Sequence, residues 1–382
     1  MENNKSILLI GANFRAMFFV AQKLHQLGYI IDVVDFEEIP LGSSKYIRHY
    51  ECVQNKNCVS ALKEVVFALL NNSCYEAIIP INDLGLMLCK ECYTEFSNKS
   101  KVIMPQLNVI DFAFDKYKLI SFSKNYGFED AHIQLLVHKC EFTEYETGGL
   151  KKIIKATNSK RFVDDKILSY STFSSDKTEE LKNHFNDTDY PILIQDFING
   201  EELGFNFYAR NGEIVCSYFD RNVVNNFGEQ SIIRRTAVAD KGIETKLINL
   251  VRAIGWNGVG MFDLIVKDGE PYILELNGRF WASIDISDKI GCGIWKEYAQ
   301  DNLGVNLNDK IKTKKKATTT INFFAATKEI LSSILHFKIE KKTFILIGYI
   351  LKSFVSPRTY IQEKLLCDYK FYLNWICSYI KK

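Results

Sequence analysis

The chain of 382 residues has no apolar run near the ~20 residues that a membrane-spanning helix needs. Its first residues, Met1 to Ser6, are polar and lead straight into Ile7-Leu8-Leu9-Ile10, without the long apolar core of a secretory signal. A cytoplasmic protein is therefore expected. A cysteine framework for a metal is also missing. Cys89 and Cys92 have CxxC spacing, but neither a second CxxC nor paired histidines follow to complete a four-ligand zinc site. Without an export signal the ten cysteines are expected to be reduced and buried, Cys89 and Cys92 as small apolar residues one helical turn apart. The six histidines (His25, His49, His132, His138, His184, His336) lack motif context and read as structural or surface residues. There is no internal repeat and no low-complexity linker.

What is present is a globular mixture, 47% apolar and 25% charged, which excludes a disordered, collagen-like or coiled-coil chain. The length suits two or three domains at roughly 150 residues each. The formal net charge of +2 is unevenly spread. Residues 310–382 hold fifteen Lys and Arg against four Asp and Glu, and the body before them holds 33 basic and 42 acidic residues. Such asymmetry suggests that the tail meets an anionic surface and the body does not, and no nucleic acid partner is expected.

The first ~110 residues alternate strand and helix patterns, the βαβ rhythm of a parallel sheet covered on both faces. Strands are predicted at Ile7–Ile10, Tyr29–Phe36, Ala77–Pro80 and Lys101–Met104, with helices at Met17–Leu27 and Ser60–Leu70. A second unit starts near Asp111 with a helix at Lys116–Tyr126 and a polar, flexible stretch from Cys140 to Tyr190. Strands then follow at Ile192–Phe197, Glu201–Tyr208 and Glu213–Phe219, and a helix at Lys241–Ile254. Two more strands, Gly258–Val266 and Pro271–Leu276, flank Asp268-Gly269, a strong short-range hairpin signal. From about Lys310 the chain is basic, aromatic and helix-like.

Gly11 stands after a strand and before a helix, where a phosphate-binding turn would lie. The dinucleotide fingerprint wants G-x-G-x-x-G, and here its second glycine is Asn13. Asp32 and Asp35 offer a carboxylate to a ribose, but one glycine and one acid are a weak signal, and the turn is read as an ordinary one in a Rossmann-like substrate domain. The sharpest signal is Gly258-Val259-Gly260-Met261-Phe262-Asp263 followed by Ile273-Leu274-Glu275-Leu276-Asn277-Gly278-Arg279. Glu275 and Asn277 are two apart on a strand and project from one face. A two-residue loop alone would set Asp263 opposite Leu274, on the wrong face. A three-residue loop or a bulge sets it opposite Glu275, and this is the predicted arrangement. It gathers oxygen ligands, two of them carboxylates, that suit Mg²⁺, with Arg279 in reach of an anion held there. A plain hairpin with a Glu275–Arg279 salt bridge fits the same pattern.

These residues resemble the catalytic strands D…E-x-N-x-R of the ATP-grasp superfamily, over roughly residues 1–305. The resemblance implies ATP and Mg²⁺ as cofactors, with Asp263, Glu275 and Asn277 as metal ligands and Arg279 catalytic, on the transferred phosphoryl group or the acyl phosphate. Pro191 to Leu203 resembles the superfamily's hinge. There the backbones of Asp196 and Ile198 would pair with adenine, Gln195 would bind its amino group, and Glu202 the ribose hydroxyls; an ordinary hairpin with a solvated Glu201-Glu202 tip fits as well. Asp115-Lys116 and the strand ending at Lys155 match the positions whose lysines meet the α- and β-phosphates as point charges. One departure stands out. The loop Ala156 to Phe162 has no glycine where the family has a glycine- and serine-rich phosphate cap, so Lys160 or Arg161 would have to replace those backbone donors.

The implied fold is α/β and α+β: a Rossmann-like domain (1–112), an ATP-grasp domain (113–306, lid about 140–200) and a basic helical C-terminal extension (307–382). The implied enzyme is an ATP-dependent ligase that joins a small-molecule carboxylate to an amine through an acyl phosphate. An ATP-grasp kinase and a non-catalytic ATP-binding protein are the alternatives. Asn225–Arg235 is a candidate carboxylate clamp or a surface loop, and Asn82-Asp83 lies where α/β sheets bind ligands. The tail, with Lys314-Lys315-Lys316, Tyr369, Tyr372, Trp375 and Tyr379, suits either an anionic membrane surface or a cap over the core. A basic helical tail on such a ligase resembles proteins of bacterial surface-polysaccharide assembly, which suggests a sugar acid or other glycan precursor as substrate.

Overall fold

Continuous apolar strands such as Ser6–Ile10 cannot face water, and helices on both sides bury them. The structure, a computed structural model, describes residues 5–11, 14–36, 44–55, 57–144, 148–186, 189–224, 231–307, 317–335 and 339–362, with Phe337, Asp368, Lys370 and Asn374. Its first elements are β1 (Ser6–Ile10), α1 (Phe14–Gln26), β2 (Ile30–Asp35), β3 (His49–Cys52), α2 (Val59–Asn72), β4 (Ala77–Pro80), α3 (Asp83–Glu91), α4 (Tyr93–Ser97) and β5 (Lys101–Val102). They form a parallel sheet in the order β3-β2-β1-β4-β5. The edge strand β3 carries no apolar run, so only its pairing with β2 marks it. Strand order reverses between β1 and β4, the switch point where open α/β sheets bind ligands. Asn82 caps α3 there by accepting from Gly85 N–H at 2.8 Å.

After the short helices α5 (Asp111–Phe114) and α6 (Lys116–Ser123), the stretch expected to be flexible is largely ordered. After β6 (Gln134–Leu136) it holds β7 (Lys152–Ala156), β8 (Lys160–Val163), β9 (Lys166–Ser169), β10 (Phe173–Ser175) and α7 (Thr178–His184), and β11 (Ile192–Asp196), the strand expected there, follows. An antiparallel sheet in the order β10-β7-β11-β6 has its own core of Leu136, Phe142, Ile154, Leu181, Phe185, Ile192 and Ile194. These apolar residues are widely separated in sequence, and only the sheet brings them together. The β8–β9 hairpin docks on the N-terminal unit. Ile167 packs in one core with Leu62 and Val66, and Asp165 accepts from Ser60 N–H (2.6 Å) and Oγ (2.8 Å) at the start of α2.

The largest sheet begins with β12 (Glu201–Arg210), β13 (Glu213–Val224) and β14 (Ile233–Ala237). Helix α8 (Lys241–Ile254) follows, capped by the Asp240 carboxylate and closed by left-handed Gly255 (φ 72°). Then come β15 (Gly258–Lys267), β16 (Glu270–Asn277), α9 (Asp285–Ile290) and α10 (Ile294–Leu303). The tail departs from the helical expectation. It gives β17 (Thr319–Ile321), α11 (Phe323–Leu335), α12 (Lys341–Val355) and β18 (Thr359–Ile361), and the full order is β16-β15-β12-β13-β14-β17-β18. Ile321 and Leu346, both fully buried, share a core with Val224 and Ile233, so residues 317–362 are built into the sheet. Lys314 to Lys316 and the tail aromatics Tyr369, Tyr372, Trp375 and Tyr379 lie outside the described residues.

One apolar core fuses the N-terminal sheet to the central one. Ile7, Leu9, Val33 and Ile79 pack with Phe280, Trp281, Trp295 and Tyr298, the segment that follows β16. This fusion brings the switch point of the first sheet against the end of β16.

Candidate functional site

The β15–β16 turn is a two-residue one, with Asp268 (φ 53°) and Gly269 (φ 87°) both left-handed and Lys267 paired with Glu270. From there the ladder runs regularly to Leu264–Ile273. It then shifts by one residue, leaving Leu274 unpaired, setting Asp263 opposite Glu275 and Met261 opposite Asn277. The bulge expected from the sequence is thus present. Asp263, Glu275 and Asn277 converge on one face, with Asn277 Nδ2 at 3.1 Å from Asp263 Oδ2 and 3.5 Å from Glu275 Oε1.

Arg279 does not pair with Glu275. Its Nε and Nη2 donate to the two Asp83 oxygens at 2.7 and 2.9 Å, a bidentate link from the end of β16 to the first residue of α3. Burial works against the Asp83 charge, but Arg279 beside it holds the carboxyl below its ordinary range.

A second arginine reaches the cluster from the side. Arg234 Nη2 lies 3.0 Å from the fully buried Asp220 and 3.8 Å from Asp263. Gly204 of β12 is opposite Asp220 and leaves room for the pair: an added Cβ there would lie 2.4 Å from Asp220 Oδ1 and 2.7 Å from Arg234 Nη2. Asp220 and Gly204 escaped the sequence reading; the only signal was an acid inside the alternating strand Ser217-Tyr218-Phe219-Asp220. Of the candidate clamp 225–235, residues 225–230 lie outside the described residues, Arg234 lines the cleft, and Arg235 pairs across strands with Arg221.

A cleft of ≈600 Å³ runs along this face, and Lys116, Lys155, Gln195, Ile198, Glu202, Asp263, Glu275, Asn277 and Arg279 all line it. Lys116 Nζ stands 3.7 Å from Glu275 and also meets Ser159. Lys155 is only 6% exposed. Burial, helped by Lys116 and opposed by Glu275, lowers its ammonium to about 7. Gln195 is buried with its Oε1 unpartnered, and Glu202 accepts from Asn222 Nδ2 at 2.5 Å.

Two expectations are revised. Asp196 donates its N–H to Ala131 O (2.9 Å), and its carboxylate goes to Lys152 and His132, so only its carbonyl remains for a ligand. Arg161 cannot replace a phosphate loop, because its guanidinium is held by the carbonyls of Asp189, Tyr190 and Pro191. Lys160 donates to Ser169 at 3.1 Å. The ordinary-turn reading of Gly11 fits: the space a Cβ would need there is filled by the Asn82 side chain, and Asp32 is taken by Arg48 and by Tyr75 Oη at 2.6 Å. The eight described cysteines are free thiols, and burial pushes the Cys89 thiol far up.

The donor set fits a hard divalent cation. Burial raises the Asp263 carboxyl well above its ordinary range; Arg234 opposes this and Glu275 adds to it. Two oxygen donors that crowd in this way, with an amide as the third, leave a site that a cation would relieve. Among the described residues no group of three or more His, Cys, Asp or Glu that could hold a metal ion forms; the third oxygen donor here is the Asn277 amide.

Residues 145–283 match the ATP-grasp_3 family, described as an ATP-grasp domain. No curated protein sequence matches the chain. Solved structures resemble it over most of its length. An L-amino acid ligase from Bacillus licheniformis is 15% identical, with 84% of this chain and 80% of that one covered at a TM-score of 0.63. A biotin carboxylase–β-γ-ATP complex from Campylobacter jejuni is 16% identical, covering 82% and 74% at 0.63. N5-carboxyaminoimidazole synthetase from Staphylococcus aureus is 13% identical, covering 88% and 87% at 0.63. The fold is the ATP-grasp fold, preceded by a Rossmann-like unit.

The close approach at Gly204 generates a test. Gly204→Ala should destabilise the protein by about 1–3 kcal/mol in chemical denaturation, since the Asp220–Arg234 pair has to move. A neutral change would show that the pair does not need the gap.

Proposed function

We propose that the protein is an ATP- and Mg²⁺-dependent carboxylate–amine ligase. The observation that carries this reading is one cleft in which Asp263, Glu275 and Asn277 face Lys116 and Lys155, with Arg279 at the same end. We assign residues 1–112 to a Rossmann-like unit, 113–306 to the ATP-grasp unit and 307–382 to an extension that closes the sheet. Gln195, the Asp196 carbonyl and the Ile198 N–H take the adenine edge, and Glu202 takes the ribose. Lys116 and Lys155 take the α- and β-phosphates. Asp263, Glu275 and Asn277 hold the cation, which when bound draws charge from the β- and γ-oxygens.

The chemistry then asks the chain mainly for positioning and charge neutralisation. A substrate carboxylate oxygen forms a bond to the γ-phosphorus while the bridging bond to ADP breaks. Arg279 meets the charge on the transferred group, and Asp83 holds that guanidinium in place until a substrate anion competes for it. An amine attacks the acyl phosphate carbon, inorganic phosphate leaves, and the amine gives up a proton. A sugar acid or related glycan precursor is the substrate class to which the composite of ligase and basic tail leads.

The tail adds a contact of its own. Ten of the sixteen exposed large hydrophobics among the described residues fall between Leu331 and Val355. On α12, Phe344, Ile347, Leu351, Phe354 and Val355 share the outward face, while Thr343 and Leu346 face the core. Exposed Lys341, Lys352 and Arg358 flank that face in a strongly basic segment. No helix among the described residues is long and apolar enough to cross a membrane. We propose that this face rests on an anionic bilayer surface, burying its side chains while the cations meet lipid headgroups.

Four outcomes are expected. Wild-type protein should bind ATP in the presence of Mg²⁺ and release ADP in amounts matched by amide only when carboxylate and amine are both supplied. Glu275→Ala should weaken Mg²⁺-dependent ATP binding by ~10-fold or more. Equal binding by both proteins would remove the site assignment, and a phosphorylated product without amide would make the protein a kinase. The Lys155 amine gives a pH signature. Its ammonium titrates near 7 in the free protein, and phosphate oxygens favour the charged form, so ATP binding should take up close to one proton at about pH 8.5 and almost none at about pH 6. Calorimetry in buffers of different ionisation enthalpy reads this, and Lys155→Met should abolish it. Finally, the protein should co-sediment with phosphatidylglycerol-containing vesicles and not with pure phosphatidylcholine, and Phe344→Ser with Leu351→Ser should release it. Failure to sediment, with a dimer in light scattering that the same changes dissociate, would reassign the face to a second copy of the chain.

A further inference from the structure

We propose that Asn222, Arg234 and Thr320 form the subsite for the carboxylate substrate's body, and that this subsite selects a polyhydroxylated carboxylate. The proposal rests on the ligase reading and deepens it. Register places these residues in one row across three neighbouring strands. Asn222 of β13 is opposite Arg234 of β14, and Arg234 is opposite Thr320 of β17. Directly opposed residues share a face, and all three line the cleft. Glu202 continues the row on the other side, one strand nearer the hinge, with Asn222 bonded to it. The row therefore begins at the ribose position on β12 and runs across β13 and β14 to β17 of the tail, on the side of β12 away from β15 and β16. Two strand spacings separate Asn222 from Thr320, about 10 Å, the span of a six-carbon chain or ring with its substituents.

The polar atoms along this row have hydrogen-bonding capacity left over. Asn222 Oδ1, Arg234 Nε and Thr320 Oγ1 are buried without a well-formed hydrogen bond, although the Tyr360 hydroxyl stands near Thr320. Buried polar atoms are seldom left so, and three in one row mark a place completed by something the chain does not itself supply. Their demands differ. The amide oxygen only accepts, the guanidinium Nε only donates, and the threonine hydroxyl does both. A ligand that answers them in turn must offer both kinds of group at short intervals, as successive hydroxyls do. An aliphatic acid would bury all three unsatisfied. Arg234, the middle residue of the row, reaches back to within 3.8 Å of Asp263, so a ligand lying on the row touches the metal-ligand end of the cleft, where Arg279 lines the wall and can meet its carboxylate. Thr320 is the contribution of the C-terminal extension, which gives β17 a role in substrate choice.

Hydroxylamine intercepts an acyl phosphate as a hydroxamate, so the full-length protein can be assayed without knowing the natural amine. With ATP, Mg²⁺ and hydroxylamine, D-glucuronate or D-gluconate should yield hydroxamate at a kcat/KM at least ~10-fold above hexanoate and L-alanine. Thr320→Val should raise the KM for the hydroxylated acid by about 5–10-fold, leave the KM for ATP unchanged, and abolish the rise in Tm that the acid gives wild-type protein. Hexanoate or L-alanine matching the hydroxylated acids, no hydroxamate from either of those acids, or an unaltered KM in Thr320→Val would each overturn the subsite. Loss of Mg²⁺-dependent ATP binding in wild type would instead overturn the ligase reading beneath it.

Discussion

One unpaired residue organises the site. Leu274 shifts the β15–β16 ladder by a single step, and because side chains alternate along a strand, that step decides which face Asp263 occupies. Without it, Asp263 would pair with Leu274 and point away from Glu275 and Asn277. Two acids on one face repel, and the surroundings answer with cations: Lys116 at Glu275 and Arg234 beside Asp263. The result is a preorganised group of charges whose remaining imbalance suits a divalent ion.

The same logic of compensated burial extends outward. Arg279 is satisfied by Asp83 at the start of α3, and Arg234 by Asp220 of the neighbouring strand, in the space left by Gly204 on β12. Buried ion pairs are poor sources of stability, since desolvation cancels much of the attraction. Their value here is geometric. The Arg279–Asp83 link spans the N-terminal and central sheets, and it holds because Phe280, Trp281, Trp295 and Tyr298 pack those sheets into one core. The apolar contacts supply the stability and the ion pairs supply the aim.

The tail belongs to the site as well as to the surface. Residues that read as a basic helical appendage supply two strands, one of them carrying Thr320 into the cleft, and only the outward face of α12 is left to an external surface. Integration into the sheet and contact with a bilayer are therefore compatible, one belonging to each side of the helical pair.

Local chemistry made much of the molecule readable in advance. The apolar runs of β1 and β4, the turn at Asp268-Gly269, the capped helix over Lys241–Ile254 and the E-x-N-x-R spacing are all set by neighbours within a few residues, and period-2 alternation alone puts Glu275 and Asn277 on one face. Pairings between distant segments were not readable. The sequence does not say that Asp83 answers Arg279, that Asp220 answers Arg234, that Arg161 is spent on the carbonyls before β11, or that Thr320 joins the row begun by Glu202. Each depends on strands and helices far apart in the chain being pressed together by apolar burial, which has no direction of its own and leaves no local mark on the residues it brings into contact.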